Sequence, residues 1–155
     1  MAIFMGQGWS ALDGKGRFAL PAAFRNPLQL QCSNPSSILV RAIHGRQYLT
    51  IFGDLQAPEF LKKLEDQEND DEETVLADFW SGMQAVTIDS GGRFALPAFH
   101  AQHAGITDSI FIVGAGNQIQ LWDLDALHAA SPNNPIVRAA LDVALKERDA
   151  KRRGA

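Results

Sequence analysis

The sequence predicts an α+β fold in which two copies of one small β-rich half clasp each other into a single pseudo-symmetric, β-barrel-like unit with flanking helices. Three observations carry that expectation: an internal repeat, a pattern of short strands within each copy, and copies too small to stand alone. The repeat comes first, because a duplication decides the architecture. Leu12-Asp13-Gly14-Lys15-Gly16-Arg17-Phe18-Ala19-Leu20-Pro21-Ala22 aligns with Ile88-Asp89-Ser90-Gly91-Gly92-Arg93-Phe94-Ala95-Leu96-Pro97-Ala98 at an offset of 76, with eight of eleven positions identical. Further on, Tyr48-Leu49-Thr50-Ile51-Phe52 aligns with Gln118-Ile119-Gln120-Leu121-Trp122 at an offset of 70, so the first copy carries about six extra residues. They fall at 26–37, a stretch with two prolines that reads as a loop.

Within each copy the local signals agree on one order of elements. Residues 9–12 and 85–88 read as short strands ending at turns where Asp and Gly supply unusual backbone angles. Residues 17–20 and 93–96 alternate small or polar with apolar side chains as a second strand. Pro21 and Pro97 suit the first position of a short helix, and Gly105 is placed to end the second one. Two strands per copy follow, 38–40 with 48–52 and 110–113 with 118–122, around turns holding Gly45 and Gly114.

Outside the copies the pattern is helical. Phe60, Leu61, Leu64 and then Val75, Leu76, Phe79 space 58–80 as two helices or one interrupted helix. Asn69-Asp70-Asp71-Glu72-Glu73 reads as a solvated break or helix start, where carboxylates favour the positive end of the dipole. Val137, Leu141 and Leu145 share one face of a C-terminal helix over 136–148 with a frayed basic end. The expected organisation is a first half at 7–54, an acidic helical connector at 55–82, a second half at 83–126, and a helix with a basic tail at 127–155. A half of about 45 residues with four short strands buries too little surface alone, so each half must cover the other.

Composition excludes several classes. An apolar fraction of 46% is that of a globular chain, and no window approaches the roughly eighteen unbroken apolar residues of a membrane span. No secretory leader is expected at the N-terminus. The lone Cys32 leaves no intramolecular disulfide and no thiolate cluster, which fits a reducing compartment. The net charge of −4 is unevenly spread: residues 1–50 carry five basic side chains against Asp13, residues 51–100 stand at −8, and the remainder balances. Such asymmetry allows an anion-binding surface on an acidic protein.

The two Asp-x-x-Gly-Arg segments with their Leu-Pro ends, each followed by a hairpin, resemble the AbrB-like swapped-hairpin DNA-binding fold. The tandem arrangement, with Gln102-His103-Ala104-Gly105-Ile106-Thr107 and Gln118-Ile119-Gln120-Leu121-Trp122-Asp123 in the second copy, resembles the MraZ family over about residues 4–124. That resemblance implies a cytoplasmic, nucleoid-associated transcription factor, usually a repressor, at the promoter of the division and cell-wall gene cluster. It also implies a homo-oligomeric ring. In the family the basic turn of the first half meets DNA, which falls on Lys15 and Arg17, with Arg93 as the second-half counterpart. Gly91 stands where the first turn has Lys15, so the second half should bind more weakly or mainly support the fold. The chain departs from the family at Met5, where an Arg is common, and in the acidity of 70–78.

Lys offers phosphate a mobile point charge, and the Arg fork can bond phosphate or guanine in two places at once. The competing reading is structural: Asp13 pairs with Arg17, and Asp89 with Arg93, so that Asp13, Gly16, Asp89 and Gly92 fix the turns. His100 and His103 stand three apart but have no third ligand in sequence, and His103 reads as a packed or capping residue, so no metal is expected. The paired carboxylates at 70–73 read as a solvated face without a nucleophile or phosphate loop, so an enzyme, a cofactor and a small-molecule substrate are not expected. Phe52, Trp80 and Trp122 read as core or interface anchors. Two other functions compete: a ring-forming structural or adaptor protein with weak DNA binding, and an antitoxin-like partner binder.

Overall fold

The computed structural model describes residues 3–67 and 71–154. In chain order the elements are β1 (Gln7–Ala11), β2 (Phe18–Ala19), α1 (Ala22–Gln29), β3 (Ser37–Ala42), β4 (Leu49–Phe52), α2 (Ala57–Gln67) and α3 (Glu72–Ser81). The series then repeats as β5 (Met83–Thr87), β6 (Arg93–Phe94), α4 (Ala98–Ala104), β7 (Ser109–Gly114), β8 (Ile119–Asp123), α5 (Leu124–Ala129) and α6 (Pro135–Gly154). The protein is therefore α+β.

Six strands form one antiparallel sheet in the order β1-β7-β8-β4-β3-β5. The order crosses between copies at both ends: β1 lies on β7, with Trp9 opposite Phe111, and β5 lies on β3, with Ala85 opposite Leu39. The two hairpins meet in the middle, where β4 pairs β8 with Thr50 opposite Gln120. Each copy thus gives its first strand to the hairpin of the other. Among the described residues no pairing joins the outer strands β1 and β5, so the sheet is open where a barrel-like closure was expected. A separate ribbon of β2 and β6 sets Phe18 opposite Phe94.

Alternation of side chains along each strand divides the sheet into two apolar faces. Val40, Ile51, Ile112 and Leu121 pack on the ribbon residues Phe18 and Phe94 and on Phe24 and Leu28 of α1. On the other face Phe111 meets Leu124, Leu127 and Leu141 from α5 and α6, while Phe52 meets Phe60 and Phe79 from α2 and α3. Central β4 is buried at every position because both faces are covered.

Several expectations shift for physical reasons. Helix α1 runs through Pro27 into the stretch read as a loop, held there by Phe24 and Leu28, four residues apart and both buried. The middle segment is two helices; α3 starts at Asp71, whose carboxylate accepts the Thr74 amide at 2.9 Å. The part of that reading on Asn69 and Asp70 lies outside the described residues. Helix α6 continues to Gly154 instead of fraying after Arg148. Lys151, Arg152 and Arg153 favour the negative end of its dipole, and Arg148 and Arg152 are ion-paired to the body.

Candidate nucleic-acid interface

Each copy passes from its first strand to its second through a turn built on the same atoms. In the first copy Asp13 Oδ1 accepts the amides of Lys15 at 2.9 Å and Arg17 at 2.8 Å, and Arg17 Nε donates to Asp13 Oδ2 at 3.2 Å. In the second, Asp89 Oδ1 accepts the amides of Gly91 at 2.9 Å and Arg93 at 2.8 Å, and Arg93 Nε donates to Asp89 Oδ2 at 2.9 Å. Gly16 at φ +76° and Gly92 at φ +80° take the left-handed conformation that closes each turn. The amide of Arg17 above all holds the Asp13 carboxyl below the usual carboxylate range, and the amide of Arg93 does the same for Asp89.

Pairing of β2 with β6 brings the two turns together. Arg17 Nη1 lies 3.5 Å from Asp89 Oδ2, so one guanidinium stands between the carboxylates of both copies. Lys15 and Arg93 are exposed and Arg17 is half-buried. Among the described residues no ion pair holds the Lys15 amine.

The surroundings of the turns differ. Open space surrounds Gly16, whereas Gly92 is buried against the Leu20 carbonyl and the Arg25 guanidinium. Arg25, on α1 of the first copy, thus brings another cation to the second turn. Sequence reading did not single it out; the signal available was a break in the repeat, which sets Arg25 against Ala101.

The other candidates are engaged in packing or local bonding. His100 Nε2 lies 3.0 Å from the Gly82 carbonyl and His103 Nε2 lies 3.1 Å from that of Ile43. Among the described residues no three His, Cys, Asp or Glu side chains gather where a metal could be held. Burial pushes the Cys32 thiol up, with the Asp54 charge adding to the effect. Phe52 is fully buried, Trp122 packs on Tyr48, and Trp80 sets its half-exposed ring edge-on to Phe79. Glu72 and Glu73 are exposed in the first turn of α3. No helix among the described residues is long and apolar enough to cross a membrane.

A duplicated α+β chain that trades first strands between copies, and seats two aspartate-fastened basic turns side by side, has the build of a binding protein. Residues 79–135 match the family described as "MraZ protein, putative antitoxin-like". The transcriptional regulator MraZ of Gluconacetobacter diazotrophicus is 32% identical over 131 residues, covering 79% of this chain and 80% of that one. The protein of the same name from Bacteroides fragilis is 26% identical over 150 residues, 95% of this chain and 94% of its own, and that of Clostridium acetobutylicum is 30% identical over 121 residues, 77% and 81%. The chain belongs to the MraZ family. Proteins of this family are named transcriptional regulators, not enzymes, and this member is a transcription regulator.

Proposed function

We propose that this regulator binds DNA sequence-specifically through its paired basic turns and acts as a repressor at the promoter of the division and cell-wall gene cluster. The observation that carries the reading is the side-by-side seating of the two turns, with Arg17 between Asp13 and Asp89. Lys15 is the mobile phosphate contact, and the arginine forks of Arg17 and Arg93 are aimed by the aspartates they pair with. Asp13, Gly16, Asp89 and Gly92 give the turns their shape. The strand exchange supports an AbrB-like swapped-hairpin unit divided at 7–54, 55–82, 83–126 and 127–155. Its setting is the cytoplasm and nucleoid, as a homo-oligomer closing into a ring that presents several turns to repeated DNA boxes.

The test is a gel shift with the DNA upstream of its own gene. Lys15→Ala with Arg17→Ala abolishes the shift and leaves the oligomer intact; binding equal to the parent removes the turns from the interface. Each phosphate contact contributes roughly −0.9 to the slope of log K against log salt. The −8 charge of residues 51–100 favours a second reading, a ring-forming structural or adaptor protein. An unaltered chain that assembles but shifts no promoter DNA would support it.

A further inference from the structure

Helix α6 closes with Lys151, Arg152 and Arg153 in its last turn. Two contacts fix where that basic end lies. Arg148, with its side chain only 7% exposed, pairs with both Asp125 oxygens at 2.7 and 2.9 Å. Arg152 Nη2 donates to Asp108 at 2.8 Å, and the Asp108 carbonyl accepts the Leu12 amide at 2.8 Å. Leu12 adjoins Asp13, so the end of α6 is tied to the strand that enters the first basic turn. A groove of about 500 Å³ runs between them, lined by Leu12, Asp13, Asp108, Arg148, Lys151 and Arg152. Arg17 answers Asp13, and Arg152 answers Asp108. Lys151 and Arg153 are exposed, and no ion pair holds either among the described residues.

Among the described residues the second turn has no such extension beside it. The helix in the corresponding place, α3, passes into β5 after Gly82 alone and carries Glu72, Glu73 and Asp78. Among the described residues a basic helix end therefore lies beside the turn that holds Lys15, while the second turn gains the single cation of Arg25.

We infer that the end of α6 is a second contact for the DNA backbone, continuing the phosphate track of the first turn across the groove. Lys151 and Arg153 meet phosphates, and Arg152 is a positioning residue acting through Asp108. The inference rests on the turn being the DNA contact. Phosphate contacts carry no base information, so Lys151→Ala with Arg153→Ala weakens binding to promoter and random duplexes by similar factors. The same variant makes the salt slope shallower by about 1.8, two contacts at roughly 0.9 each. Lys151→Arg with Arg153→Lys keeps the slope. Both side chains are exposed, so melting temperature and oligomer size stay at parental values. An unchanged slope in the alanine pair, alongside a loss of binding in Lys15→Ala with Arg17→Ala, overturns the inference and leaves the turn reading standing. No salt-dependent binding by the parent, or full binding by the turn variant, brings down both.

Discussion

The two basic turns have nearly one hydrogen-bond scheme and two different settings. Asp13 and Asp89 accept equivalent amides, and each holds the guanidinium four residues on. Yet the first turn stands in open space with Lys15 beside it, while the second is roofed by Leu20 and Arg25 and has Gly91 in place of the lysine. A repeated motif fixes the backbone; what that backbone presents to a partner is decided by a substitution within the turn and by neighbours from the other copy.

The core beneath the turns offers the strongest challenge to their equivalence. Phe18 and Phe94 are 3% and 1% exposed and face each other in the ribbon, so truncating either to Ala costs roughly 3–5 kcal/mol, as large cavities do. Chemical denaturation of Phe18→Ala and Phe94→Ala checks this; a clear inequality would mean that one copy carries the ribbon. The glycines sharpen the contrast. Gly16→Ala meets only the left-handed backbone penalty of about 1–2 kcal/mol. Gly92→Ala also drives a methyl to 2.7 Å from the Leu20 oxygen and 2.9 Å from Arg25 Nη1. That overpacking raises the loss to roughly 2–5 kcal/mol, and equal melting temperatures for the two variants would contradict the roofed second turn.

The smallest effect is acid sensitivity. Both carboxyls are held below their usual value by the amides of Arg17 and Arg93. A group with a lowered folded pKa adds stability that is fully present above its unfolded value, about 4, and fades as pH falls through the folded value. Asp89 faces Arg17 as well as Arg93, so Asp89→Asn removes more of this acid-range dependence than Asp13→Asn. Melting curves below about pH 4 compare them, and identical profiles would deny the cross-copy contact any weight.

Much of this was legible because the repeat is written in identities, and because Pro21, Pro97 and Gly105 punctuate the chain locally. Contacts between copies were not. Nothing near Arg17 announces that its guanidinium reaches Asp89, and nothing near Arg25 announces that it covers Gly92. The open sheet was missed for the same reason, since alternation sets which face is buried and not which strands meet. Helix α5 went unread although Asp123 Oδ2 accepts the Ala126 amide at 3.0 Å, because a helix of six residues is too short to show apolar periodicity. The length of α6 depended on Asp125 and Asp108, remote in sequence from the arginines they hold.

Trading first strands within one chain also changes what dilution can do. A swap between separate molecules would come apart as protein became scarce, whereas here each borrowed strand belongs to the same covalent chain as its host. The unit therefore assembles at any abundance. Its two members are also always present as unlike mates, so a lysine can be kept in one and dropped from the other without any need for matching subunits to find each other.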